Sequence, residues 1–169
     1  VKVTDSMRTE TDTHNRLLAE NRFKLVADPT QKYVPPSPKD PVPHINFAPL
    51  LNSASELEQA AAVFHEALAP IQSGDRELSN AQLAKFNQLV YQTERALIHE
   101  KGLPRRPWFR HQIYAPGFYT GYGVKTIPGV REAIEERKWK EADEQIGHAA
   151  DALNRMAAQI EAAAKLIEK

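Results

Sequence analysis

The sequence predicts an all-α fold: a four-helix up-and-down bundle with a short extra helix and long ordered loops. Three observations carry the prediction. Apolar residues recur at spacings of three and four through 50–68, 83–97 and 146–167, the period of a one-faced helix. Capping residues and prolines stand where helices start, at Asn46, Pro49, Ser79 and Pro128. No strand-like alternation holds up along the chain.

Residues 3–20 form a weakly specified leading helix. Met7, His14, Leu17 and Leu18 give it a sparse apolar stripe, and its four threonines are mediocre helix formers. Phe23, Leu25 and Val26 read as a short packed extension, and residues 1–27 as one segment. Residues 28–45 hold six of the twelve prolines and cannot be helix. Tyr33, Val34, Val42 and Ile45 suggest an extended crossing along a surface. The plainer alternative is a Pro-rich linker.

Residues 46–169 are the core of the helical domain. Asn46 reads as an N-cap with Pro49 in the first turn, and Leu50, Ala54, Leu57, Ala61, Phe64 and Leu68 as the inward face. Pro70 reads as the end of that helix. Ser55 and Glu58 resemble a capping box but fall inside the periodic run, so they face solvent. Ser79 caps the next helix, with Leu83, Phe86, Val90, Thr93 and Leu97 as its inner stripe, and Gly102 and Pro104 stop it. Pro128 opens a short helix with Val130, Ile134 and Trp139 inward. The last helix, about 140–166, carries a heptad of Ile146, Ala149, Leu153, Ala157, Ile160, Ala164 and Ile167. Gly147 inside it hints at a close contact.

The stretch between the third and fourth helices is unlike the rest. From Gly102 to Gly129, prolines fix φ, glycines open conformations closed to other residues, and six aromatics intervene. A disordered linker is poor in aromatics, and ordered loops of this length are usually functional. The helices read as a scaffold for a functional loop at 103–128.

Composition excludes several functions. The 22 basic and 22 acidic residues cancel, leaving no field to attract nucleic acid or anionic lipid. There is no cysteine, hence no disulfide, thiolate nucleophile or Cys-ligated metal. No apolar run approaches the ~20 residues that span a bilayer. His65-Glu66 and His99-Glu100 look like half of a zinc-helix motif, but no second His follows at the required spacing. No phosphate loop and no nucleophile elbow occur. A self-sufficient active site is therefore not expected, nor a metal or cofactor in this chain. Arg105, Arg106, Arg110 and His111, with Trp108 and Phe109, admit two readings: a grip on phosphate or base, or arginines bonding loop carbonyls and acids around core rings. Overall neutrality favours the second. The abrupt polar start at Val1 is the expectation of a piece cut from a longer polypeptide.

The segment ERALIHEKGLPRRPWFRHQIYAPGFYTGYGVKTIPGVREAI resembles the C-terminal helical domain of the glutamate carboxypeptidase II and transferrin receptor family. The shared features are the ER-A-L-I helix end, the GLP turn, R-P-aromatic-aromatic-R-H, IYAP, and a PG that restarts the helix. The resemblance is strong over 94–136, weaker from Asn46 to the end, and slight before Asp28. It implies a homodimerisation domain of a larger zinc-dependent carboxypeptidase-like protein, exported or extracytoplasmic. Zinc and catalysis would reside in an upstream peptidase domain, a partner within the same polypeptide, with no nucleic acid and no direct membrane contact by this chain. It further implies that loop 115–128 helps to line the substrate pocket through Tyr119, Gly121 and Tyr122, and that Arg110, His111, Tyr114 and Pro116 anchor the loop. The family's Lys-Tyr pair, which contacts a C-terminal glutamate, stands here as Gly121-Tyr122. Glycine supplies no charge for a side-chain carboxylate, while Tyr122 keeps a hydroxyl donor. A loop-packing role for Tyr122 stays open. So do two wider alternatives: a purely structural dimer domain of an inactive receptor-like member, and an unrelated helical adaptor.

Overall fold

Helix-forming alanines and a leucine-isoleucine stripe dominate the C-terminal third, and the longest helix forms there. In the computed structural model, which describes residues 2–168, the chain divides into two compact units, Val1–Ile45 and Asn46–Lys169. It is mostly helical, with five α-helices and one small two-stranded sheet among the described residues.

In the first unit, α1 (Lys2–Ala19) is followed by a 3₁₀ turn, Arg22–Val26. The buried positions of α1 are Thr4 and Thr11, one heptad apart, with Met7, Leu17 and Leu18 only half-buried. The expected packed extension is corrected: Phe23 lies against the His14 ring at 5.2 Å, but Leu25 and Val26 are exposed. The Pro-rich segment has no regular element and is laid along α1 by side chains. Asn15 both donates to Lys39 O (2.8 Å) and accepts from Lys39 N (2.9 Å), and Arg8 donates to Pro43 O at 2.9 Å. A segment short of amides cannot join a sheet, so α1 satisfies its carbonyls instead.

In the second unit, α2 (Ala48–Gln72), α3 (Asn80–Gln92) and α4 (Pro128–Glu135) all pack on α5 (Trp139–Ile167), α2 most extensively. The predicted heptad of α5 lies on its covered side. Ala142, Ala149, Ala150, Ala152, Ala157, Ala163 and Ala164 are buried as well, so small side chains let neighbours approach from more than one direction. Because α1 belongs to the other unit, the observed fold is broader than the expected bundle: a mostly helical domain centred on α5.

Several expectations are corrected. The N-cap of α2 is Phe47; Asn46 instead accepts the Ala48 amide in a side-chain turn. Its buried face is Leu50, Ser53 and Ala60, while Ala54 and Ala61 are exposed. The two faces differ by one residue, and single-sequence periodicity cannot choose where Ser53 stands beside Ala54 and Ala60 beside Ala61. Pro70 does not end α2, which continues to Gln72. Its φ suits a helix and its ring disturbs only the preceding turn. Ser79 caps α3 with a full capping box, Gln82 reaching back to the Ser79 amide at 3.1 Å. Leu83 and Val90 of the expected inner stripe are exposed, however, and α3 stops at Gln92 before a 3₁₀ turn, Glu94–Leu97. Gly147 faces open space; the close approach is at Gly129, where a side chain would strike Gln145.

Packing at Ala164 leaves no room for added volume. Ala164→Leu should lower stability by about 1–3 kcal/mol in urea unfolding, whereas Ala162→Leu, on the exposed side, should change it by less than about 0.5 kcal/mol.

Candidate functional site

The loop after the 3₁₀ turn is built in two tiers. In the first, the chain doubles back on itself: His99 N donates to Arg110 O (2.9 Å) and Gln112 N to Leu97 O (2.9 Å). Within this fold-back, GLPRRPWF forms a tight knot around buried Leu103, whose amide donates to Phe109 O at 2.8 Å. Gly102 has φ +65°, and a side chain there would run into the Pro107 carbonyl. Arg155 of α5 clamps this tier, donating to Ala96 O and Ile98 O, each at 3.1 Å.

The second tier is a hairpin, β1 (Tyr114–Pro116) antiparallel to β2 (Val124–Thr126). The sequence reading excluded strands, and this hairpin corrects it. Three-residue strands bounded by glycines carry too few positions to display a period of two. The turn between them, 117–123, is closed by Gly117 N to Gly123 O at 2.8 Å.

A buried ion pair ties the hairpin to α4. Arg106 and Glu132 have side chains only 3% and 4% exposed and meet at 2.6 Å. The second oxygen of Glu132 accepts the Phe118 amide at 2.8 Å, and Arg106 also donates to the Pro116 carbonyl. The Phe109 and Phe118 rings flank the guanidinium, with its carbon 5.6 and 5.7 Å from their centroids. Arg105 reaches outward to both oxygens of Glu141 at 2.9 Å and to Glu136 at 3.4 Å. A 2.5 Å contact from Lys138 holds Glu136 below the usual carboxylate range; burial opposes it, and Arg105 adds to the lowering. The arginine cluster is thus engaged with carbonyls and acids, while Trp108, 71% exposed, is not the core ring expected beside it. Nothing in the sequence singles out Glu132, since an acid in the middle of a short helix reads as part of a solvated face.

The residues expected to anchor the loop occupy these places. Pro116 supplies the carbonyl bound by Arg106. Through Nδ1, His111 accepts the amides of Ile113 and Tyr114 at 3.2 Å each. The Tyr114 ring lies tilted against His111, and its hydroxyl donates to Glu94. Arg110 makes a long 3.5 Å contact to His99 O and is exposed. The pocket candidates Tyr119, Gly121 and Tyr122 sit together on the hairpin turn, with Tyr119 and Tyr122 exposed. Gly121 has φ +61° with free space about it. A lysine there would meet no obstruction but would carry the left-handed penalty of about 1–2 kcal/mol. Among the described residues no group of three or more His, Asp or Glu could hold a metal ion. No helix among them is long and apolar enough to cross a membrane.

A second titrating feature lies beneath the first tier. His99 and His148 stack with ring centres 4.2 Å apart, and Gln145 contacts His148 Nδ1 at 3.3 Å. Burial, then the positive neighbours His148, Arg155 and Lys101, push His99 below its ordinary value of 6.5, against a small opposing effect of Glu100. A lowered histidine favours the folded chain above the unfolded value and loses that advantage as the unfolded state takes up protons.

Two outcomes follow. Glu132→Ala leaves a buried guanidinium without its carboxylate and should cost about 3–5 kcal/mol in urea unfolding; Arg131→Ala, breaking an exposed pair with Glu135, should cost under about 1 kcal/mol. A similar cost for the two would contradict the assigned role of Glu132. The melting temperature should fall as pH drops below about 6.5, with a shallower fall in His99→Gln.

Comparison with known proteins agrees with this architecture. Residues 45–161 match the family model for the transferrin receptor-like dimerisation domain. A probable glutamate carboxypeptidase LAMP1 of Arabidopsis thaliana is 38% identical over 72 residues, covering 38% of this chain and 11% of that protein. A probable glutamate carboxypeptidase of Arthroderma benhamiae is 34% identical over 104 residues, covering 59% of this chain and 14% of that protein. The chain therefore matches only a small part of the length of these relatives. With more than half of its residues inside the family match, this chain belongs to the transferrin receptor-like dimerisation domain family.

Proposed function

We propose that the chain is the homodimerisation domain of a larger zinc-dependent carboxypeptidase-like protein, and that its loop 115–128 helps to line the substrate pocket of a peptidase domain outside this chain. The observation that carries the loop assignment is Tyr122. It is wholly exposed at the turn of a hairpin that a buried ion pair ties to α4. A rigid arm ending in uncovered aromatics is suited to meet a second surface. Its hydroxyl is a donor for a substrate carboxylate. Gly121, beside it, offers no cation for an acidic side chain, so the pocket is read as one without strict preference for a C-terminal glutamate.

The dimer assignment rests on the family and on apolar side chains that one copy leaves uncovered. Leu51 and Val63 on α2, and Leu83, Val90 and Tyr91 on α3, are exposed. Runs of this kind on a helical domain mark association surfaces. A second copy of the chain would cover them.

Sedimentation of the chain should show concentration-dependent self-association, weakened by Leu83→Glu or Tyr91→Glu; a strict monomer at high concentration would count against these faces. In the full-length protein, substrates ending in glutamate and in neutral residues should be turned over with kcat/KM values within about a hundredfold of each other. A larger preference for glutamate would overturn the reading of Gly121. Tyr122→Phe should raise KM more than it lowers kcat, because the lost donor binds ground state and transition state alike.

A further inference from the structure

We propose that His111 is a pH-sensitive latch at the base of the hairpin: its unprotonated Nδ1 holds the amides of Ile113, just before β1, and Tyr114, its first residue, and gaining a proton there lets them go. The proposal concerns the loop itself and stands whatever the hairpin turn meets.

The geometry determines the ring's state. Nδ1 lies 3.2 Å from the amide nitrogens of both Ile113 and Tyr114, and each amide can only donate. A ring nitrogen that accepts carries no proton, so the single proton of neutral imidazole sits on Nε2. Nε2 faces Glu94 Oε1 at 3.4 Å. A second proton has only Nδ1 to occupy, where it would point at two N–H groups. The charged ring and the capped amides therefore exclude each other.

The groups around the ring act in opposite directions. From the 3₁₀ turn, Glu94 attracts an imidazolium and favours opening; Glu94 also takes the Tyr114 hydroxyl, and the Tyr114 ring covers the imidazole at 4.1 Å. Burial favours the uncharged ring and is the larger effect, so His111 lies below its ordinary value of 6.5. The latch is closed at neutral pH and opens as acidity rises through the histidine range. A group lowered in the folded state loses its contribution in this direction as pH falls.

Position makes the latch matter. The Ile113 amide goes to His111, and the Ile113 carbonyl accepts the Ile127 amide at 2.6 Å, so these bonds bracket the hairpin where it leaves the first tier. Farther out, Arg106 holds the Pro116 carbonyl and Glu132 holds the Phe118 amide. Arginine does not titrate in this range. Opening therefore loosens the base of the arm without detaching it.

The test is nitrogen-15 NMR on the 169-residue chain, titrated from about pH 7.5 to about 5.5, through the histidine range. The His111 ring should be the Nε2–H tautomer at the upper end. The Ile113 and Tyr114 amides should move together, with a midpoint below that of a free histidine. In His111→Asn, whose Oδ1 can accept the same amides without titrating, both signals should stay flat. His111→Phe should resemble the acid form at every pH. A proton on Nδ1 at neutral pH, read on the unaltered chain, would overturn the proposal. So would continued titration of the two amides in His111→Asn.

Discussion

The contact between Arg106 and Glu132 is the constraint on which the arm depends. Two opposite charges in the interior are costly to desolvate and are tolerated only when the remaining donors and acceptors are used. Here Glu132 also accepts the Phe118 amide and Arg106 also donates to the Pro116 carbonyl, although Arg106 Nε has no hydrogen-bond partner among the described residues. One pair thus draws together three separate pieces of chain: the proline-arginine knot, the hairpin, and the first turns of α4. With side chains only 3% and 4% exposed, the pair is little screened by water, which strengthens the attraction.

Below that pair the scaffold is organised by smallness rather than by bulk. Fully covered alanines along α5 let α2, α3 and α4 approach one central rod. Bulky apolar residues on α2 and α3 are in part left facing outward. This is the expected distribution for a domain whose burial is completed by another surface. The same division recurs in the loop, where the root is interior and the tyrosines of the turn are uncovered.

Histidine chemistry is placed at the joints of this frame. His99 and His148 stack where the 3₁₀ segment meets α5, and His111 sits where the fold-back becomes the hairpin. Both His99 and His111 are shifted toward the neutral form, with burial as the leading cause. The joints are therefore most secure near and above neutrality, while the arginines between them keep their charge through the histidine range.

Much of the scaffold was legible in the residues alone. The heptad of α5, the cap at Ser79 and the proline start of α4 are local signals, each set by residues within a turn or two of one another. The proline run of 28–45 likewise forbids regular structure by its own covalent geometry. The family resemblance of 94–136 was written in a motif long enough to be read directly. Tertiary structure alone decided the rest. Whether Ser53 or Ala54 turns inward depends on where α5 lies, and the early end of α3 goes with the pairing of 97–99 and 110–112 that follows it. The hairpin is too short to carry a period, and the burial of Glu132 has no local cause, because its partner is 26 residues away. Neighbours along the chain specify helices; a charge pair across a loop exists only once the fold has brought its ends together.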